Sequence, residues 1–125
     1  DMVDFGDDSD SYWEAEIFAY LKRHFQNGRL MFDGIYTSTD GLALAVLELL
    51  RQMDIQVPRD VQLVGHDGLR RMNRGAYMLS SIAQPVEEMA VASVENVIQL
   101  IHKEQVDHLT ILPVTFVYGG TTRKV

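Results

Sequence analysis

Leu42, Ala43, Leu44, Ala45, Val46, Leu47, Leu49 and Leu50 follow one another with almost no polar face before Arg51. A helix that is apolar all round has to be buried on more than one side. Asp33-Gly34-Ile35-Tyr36-Thr37-Ser38-Thr39 precedes it and reads as a short strand, with Asp40 as N-cap of a helix running through Met53. Strand, then helix, then Pro58 ahead of a second strand at Val61-Gln62-Leu63-Val64-Gly65 is the grammar of an α/β fold. The fold class expected is an open parallel sheet with flanking helices. One face of the apolar helix covers that sheet, and the other needs a partner, for which a subunit interface is the plain candidate.

The flanking segments fit the same scheme. Ser11 with Glu14 has capping-box spacing ahead of an apolar-periodic helix through Ile17, Tyr20, Leu21 and Phe25, and Gly28 ends it. The five Asp residues of Asp1 to Asp10 complement the dipole of that helix. They lack the third ligand, turn Gly and closing Glu of a calcium loop. A third strand is expected at Leu79 to Ala83. Gln84-Pro85 then starts a helix striped by Val86, Met89, Ala90, Ser93, Val97, Leu100 and Ile101. Leu109 to Tyr118 forms a last strand, with Pro113 pointing to an edge or crossover position.

Composition narrows the function. The 125 residues, 46% apolar, suffice for one core, and no apolar run nears the ~18 residues that span a bilayer, so no membrane partner is expected. Net charge is −7 and the cations are scattered, so this stretch carries no footprint for the phosphate backbone of DNA. Cys is absent, which suits a reducing cytosol.

In open parallel sheets ligands sit beyond the carboxyl ends of the strands. Those ends supply Thr39 and Asp40, then His66 and Asp67, then Gln84, and Phe5 could enter the same crevice. Hydroxyl, carboxylate, amide and aromatic ring together suit a polyhydroxylated or heterocyclic small molecule. The competing reading makes Asp40 and Asp67 mere caps and Phe5 a core residue. Catalysis is not expected: His66, Asp67, Ser80 and Ser81 include the residue types of a triad, but no Gly-x-Ser-x-Gly elbow accompanies them. His102 and His108 are wrongly spaced for a metal, His24 reads as a solvated helix residue, and Gly65-His66-Asp67-Gly68 is neither a dinucleotide nor a Walker loop. No cofactor or metal is expected.

The motifs, in order, resemble those of the LacI/GalR family of transcription regulators. Asp33 to Leu44 resembles "DAIFAANDxMALG", Val57 to Asp67 resembles "VPxDVSVVGFDD", and Leu79 to Met89 resembles "LTTIxQPxxEMG". Leu112-Pro113 through Gly120-Thr121-Thr122-Arg123 is similar to the closing "LPxxLVxRxST". The resemblance spans essentially the whole chain. It implies the type I fold of periplasmic sugar-binding proteins: two α/β subdomains joined by crossovers, with the effector in the cleft between them. Residues 1–125 are then expected to be a partial effector-binding and dimerisation domain, a C-terminal subdomain without the helix-turn-helix reader and the first subdomain.

The resemblance further implies a cytoplasmic repressor that senses a sugar or sugar derivative, forms a homodimer, and reads operator DNA only through that missing domain. A periplasmic sugar receptor of a transport system is the alternative, and an α/β hydrolase a third. Carried over by position, the family's effector contacts fall on Phe5, Thr39 and Asp67, and Gln84, at the end of the third strand, completes the expected effector-binding set. Thr39 stands where many members have Asn, His66 where an aromatic is common, and Gly68 where a second Asp is common. The dimer interface falls on Leu44, Leu47, Met72, Arg74 and Tyr77. In the family the helix from Val86 to Ile101 packs mainly on the first subdomain, so in an isolated fragment its stripe is expected to pack on another chain or exchange between protomers.

Overall fold

The computed structural model describes residues 10–68 and 79–124. Phe5, Met72, Arg74 and Tyr77, and the acidic run before Asp10, lie outside the described residues. In chain order the elements are α1 (Asp10–Arg23), β1 (Phe25–Gln26), β2 (Arg29–Leu30), β3 (Gly34–Tyr36), α2 (Asp40–Gln52), β4 (Gln62–Asp67), β5 (Ser80–Ala83), α3 (Val86–Ile101) and β6 (Thr115–Val117). β1 and β2 pair as a small antiparallel ribbon, and the main sheet has the order β3-β4-β5-β6.

The first helix stops earlier than its apolar period implies. Phe25 belongs to a hairpin whose two-residue turn is Asn27-Gly28, with φ of 52° and 79°. Positive φ at both turn positions matches the right-handed twist of the flanking strands, which is why Asn-Gly is favoured there. His24, at the end of α1, is half-buried rather than solvated. Its Nδ1 lies 2.9 Å from the Tyr20 carbonyl oxygen, and its ring centroid lies 4.1 Å from that of Tyr20.

The sheet is mixed rather than wholly parallel. β3, β4 and β5 run parallel in the expected register, with Ile35 opposite Leu63 and Gly65 opposite Ser81, whereas β6 is antiparallel to β5. A parallel crossover requires its helix to fold back along the sheet and return the chain to the starting edge. No residue of α3 is buried, so this helix does not lie packed on the sheet as a crossover helix does. The chain comes back from the opposite end and enters antiparallel. The strand is also shorter than the Leu109 to Tyr118 run; Pro113, which has no N–H to give to a ladder, lies outside it.

Alternation along β4 divides the sheet. Val61, Leu63 and Gly65 face α2 and are buried, while Gln62, Val64 and His66 face the other way and are half-buried. The core gathers on the first side from Ile17, Leu21, Leu30, Ala43, Val46, Leu50, Ile55, Val61 and Leu63. Fully burying a side chain such as Leu50 or Leu63 contributes about 1.5–3 kcal/mol. The second flank of α2, for which the sequence demanded a partner, is met in part within the chain: α1 packs on α2, and Leu42, Leu47 and Leu49 lie against the core. Leu44 is half-buried and is not among the residues packed there.

The opposite side of the sheet carries Tyr36, Phe116 and Tyr118, all exposed, and α3 leaves its whole apolar stripe open, Ile101 reaching 71% exposure. Among the described residues no helix is long and apolar enough to cross a membrane.

Candidate functional site

Thr39, Asp67 and Gln84 stand at the carboxyl ends of β3, β4 and β5, so the parallel part of the sheet brings them to one edge. Thr39, not Asp40, is the N-cap of α2. Its extended backbone (φ −142°, ψ 157°) lets Oγ1 accept from the Leu42 N–H at 3.1 Å. The hydroxyl is exposed, and its own proton stays available to a ligand.

Asp40 is the first helical residue and only 2% exposed. Its Oδ1 accepts from the Ser81 hydroxyl at 2.6 Å. Gly65 makes this approach feasible, because a Cβ there would run into Asp40 Oδ1 and come within 2.8 Å of Leu79. The carboxylate is thus part of the packing between α2 and the sheet and does not line the crevice.

Asp67 ends β4 with φ of 105°, a torsion that non-glycine residues rarely adopt. Gly68 follows at φ 72°, where a Cβ would collide with Ala83. The turn directs the Asp67 carboxylate toward the start of α3, and Oδ1 accepts from Gln84 Nε2 at 2.9 Å. The Gln84 N–H also donates to the Asp67 carbonyl at 3.3 Å. One carboxylate oxygen, the Gln84 amide oxygen and its remaining N–H are left to address a polar ligand. Gly68 cannot carry the second Asp common in LacI-type sequences without displacing β5.

The residue types of a triad are engaged elsewhere. Tyr36 Oη and His66 Nδ1 lie 2.6 Å apart, Ser80 Oγ is bound to Thr122 and Gly119, and Ser81 Oγ to Asp40 and Gly68. Among the described residues no group of three or more His, Asp or Glu could hold a metal ion. Ser81 is the residue that reading by position missed. The signal was present in the Ser80-Ser81 pair, since a strand inside a parallel sheet is otherwise expected to be an almost continuous apolar run.

In α/β folds the edge at which the carboxyl ends of parallel strands gather is where ligands are taken, and the family agrees with this architecture. The chain belongs to the periplasmic binding protein-like domain family, whose profile matches residues 4–122. It is a LacI-type member of that family, similar to regulators of sugar metabolism. It is 36% identical over 70 residues to the arabinose metabolism transcriptional repressor of Geobacillus stearothermophilus, covering 56% of this chain and 19% of that protein. It is 32% identical over 93 residues to the ribose operon repressor of Bacillus subtilis strain 168, covering 74% of this chain and 28% of that protein. Its structure superposes, at a TM-score of 0.73, on a LacI family transcriptional regulator from Arthrobacter sp. FB24 in complex with lactose. That match has 25% sequence identity and covers 90% of this chain and 41% of the other. The chain therefore spans less than a third of the length of these two curated relatives.

Proposed function

We propose that this chain is the effector-binding and dimerisation part of a LacI-type transcriptional repressor that senses a sugar or similar small molecule. In this reading the crevice at the carboxyl ends of β3, β4 and β5 is one wall of the effector cleft. Asp67 and the Gln84 amide oxygen accept hydrogen bonds from ligand hydroxyls, the Thr39 hydroxyl donates one to a ligand oxygen, and Phe5 covers an apolar ring face. The observation that carries the reading is the Asp67 carboxylate, held at a left-handed torsion beside Gln84 in a chain whose lactose-bound relative has the same fold. A residue kept in so unfavourable a torsion is a reasonable site of function.

The rest of the machine lies outside residues 1–125: a first subdomain forming the opposite wall, and a helix-turn-helix reader of operator DNA. The open apolar stripe of α3 is covered by that subdomain, or by another chain when the fragment is alone. Leu44 and Leu47, with Met72, Arg74 and Tyr77, contribute to a homodimer. The protein works in the cytoplasm, uses no cofactor, and transforms no substrate. A sugar acts by preferring one of two subdomain arrangements.

Calorimetric titration of the full-length protein with arabinose, ribose, sucrose and lactose tests the site. Asp67→Ala should weaken the sugar that binds by about 10- to 100-fold, the cost of losing hydrogen bonds to a charged acceptor. Phe5→Ala should weaken it too, and both variants should remain dimers by light scattering. Wild-type titrations from both variants would remove the assignment.

A further inference from the structure

We infer that Ser81 is a positioning residue for the effector site, fixing the Asp67-Gly68 turn to the start of α2 through its buried hydroxyl. Ser81 is 2% exposed in the middle of β5. Its Oγ accepts from the Gly68 N–H at 3.1 Å and donates to Asp40 Oδ1 at 2.6 Å. Gly68 lies one residue beyond β4, so its N–H is past the end of that strand and needs a partner. Asp40 needs one as well, being a carboxylate inside the core. One hydroxyl serves both, as acceptor for the amide and donor to the carboxylate.

The connection matters because of what stands beside it. Asp67 cannot hold φ of 105° by its own preference, and the strain persists only if neighbouring contacts over-determine it. Three contacts do so: the Gln84 side chain on the carboxylate, the Gln84 N–H on the Asp67 carbonyl, and Ser81 on the amide that follows. Ser80 supplies an internal comparison. It is equally buried, but its hydroxyl serves Thr122 and Gly119 in the closing segment and has no link to the turn.

The inference that this turn presents an effector ligand rests on the proposed function; the fastening itself does not. Hydrogen exchange on the full-length protein, isotope-labelled at glycine, reads the fastening directly. In the unmodified protein the Gly68 amide should be protected. Ser81→Ala should speed its exchange about tenfold, the equivalent of one lost hydrogen bond, while Ser81→Thr retains protection and Ser80→Ala leaves it unchanged. An unprotected Gly68 in the unmodified protein, wild-type protection in Ser81→Ala, or equal loss in Ser80→Ala would each overturn the inference. Titration with whichever of arabinose, ribose, sucrose and lactose binds then reads the consequence, with about tenfold weaker binding expected for Ser81→Ala and wild-type binding for Ser80→Ala. Wild-type affinity in Ser81→Ala would deny Ser81 its role at the site even if Gly68 loses protection. If none of these sugars binds the unmodified protein, the proposed function fails, and the exchange result still decides the fastening.

Discussion

The torsion of Asp67 sets a conflict at a single residue between stability and presentation of its carboxylate. A non-glycine residue at such φ costs of order 1–3 kcal/mol, and the Gln84 hydrogen bond returns about 0.5–1.5 kcal/mol. Glycine at position 67 removes the backbone cost together with the side chain, whereas alanine removes the bond and keeps the cost. Denaturant unfolding should therefore find Asp67→Gly more stable than Asp67→Ala by about 1 kcal/mol, although both lose the same carboxylate. An Ala variant as stable as the Gly variant would mean that the turn is relaxed. The motif around His66-Asp67 made the position of this carboxylate legible from sequence, but its torsion and its fastening were not. The Ser81 to Asp40 bond joins residues 41 apart, and no local pattern encodes which of two adjacent serines points toward α2. The cap of α2 falls on Thr39 and not on the expected Asp40 for a related reason: both are good capping types, and tertiary burial of Asp40 decides between them.

Among the elements, those specified by period and punctuation matched their expected places: α2, β4, β5 and α3 begin and end within a few residues of where apolar spacing, Pro58 and Pro85 put them. The β1-β2 ribbon stands where a helix ending at Gly28 was expected, because Asn27-Gly28 together are a stronger signal of a two-residue hairpin turn than Gly28 alone is of a helix stop. A last strand was expected over Leu109 to Tyr118, yet β6 covers only Thr115–Val117, and the residues after it fasten to the sheet through their side chains and backbone. Thr121, 1% exposed, accepts from the Ser80 N–H at 2.9 Å and donates to the Leu63 carbonyl at 2.7 Å, stitching β4 to β5. Thr121→Val keeps the shape and leaves both backbone groups without that partner. It should lower unfolding stability by about 1–3 kcal/mol. A loss under about 0.5 kcal/mol would show that the stitch contributes little.

At the scale of the whole molecule, the described residues cover the sheet on one face and bury no part of α3, and the candidate effector groups other than Phe5 occupy a single edge. That asymmetry suits a half-module working against a second body. The apolar run of α2 pointed toward it, but α1 accounts for part of what α2 buries, so that sequence feature alone overstated the need for another chain. The mixed sheet could not be read from strand composition, because the direction in which β6 pairs with β5 is a property of packing and not of local sequence. If such a module regulates transcription, its effector must bind two arrangements of the protein with different affinity. Fluorescence anisotropy of the full-length protein on operator DNA selected by that protein measures this difference. Sugar at about ten times the Kd of the unmodified protein is predicted to change operator affinity at least about fivefold there, and by a clearly smaller factor in Asp67→Ala, which is half occupied or less at that concentration. A sugar that binds without moving operator affinity, or one that moves it equally in Asp67→Ala, would contradict the account.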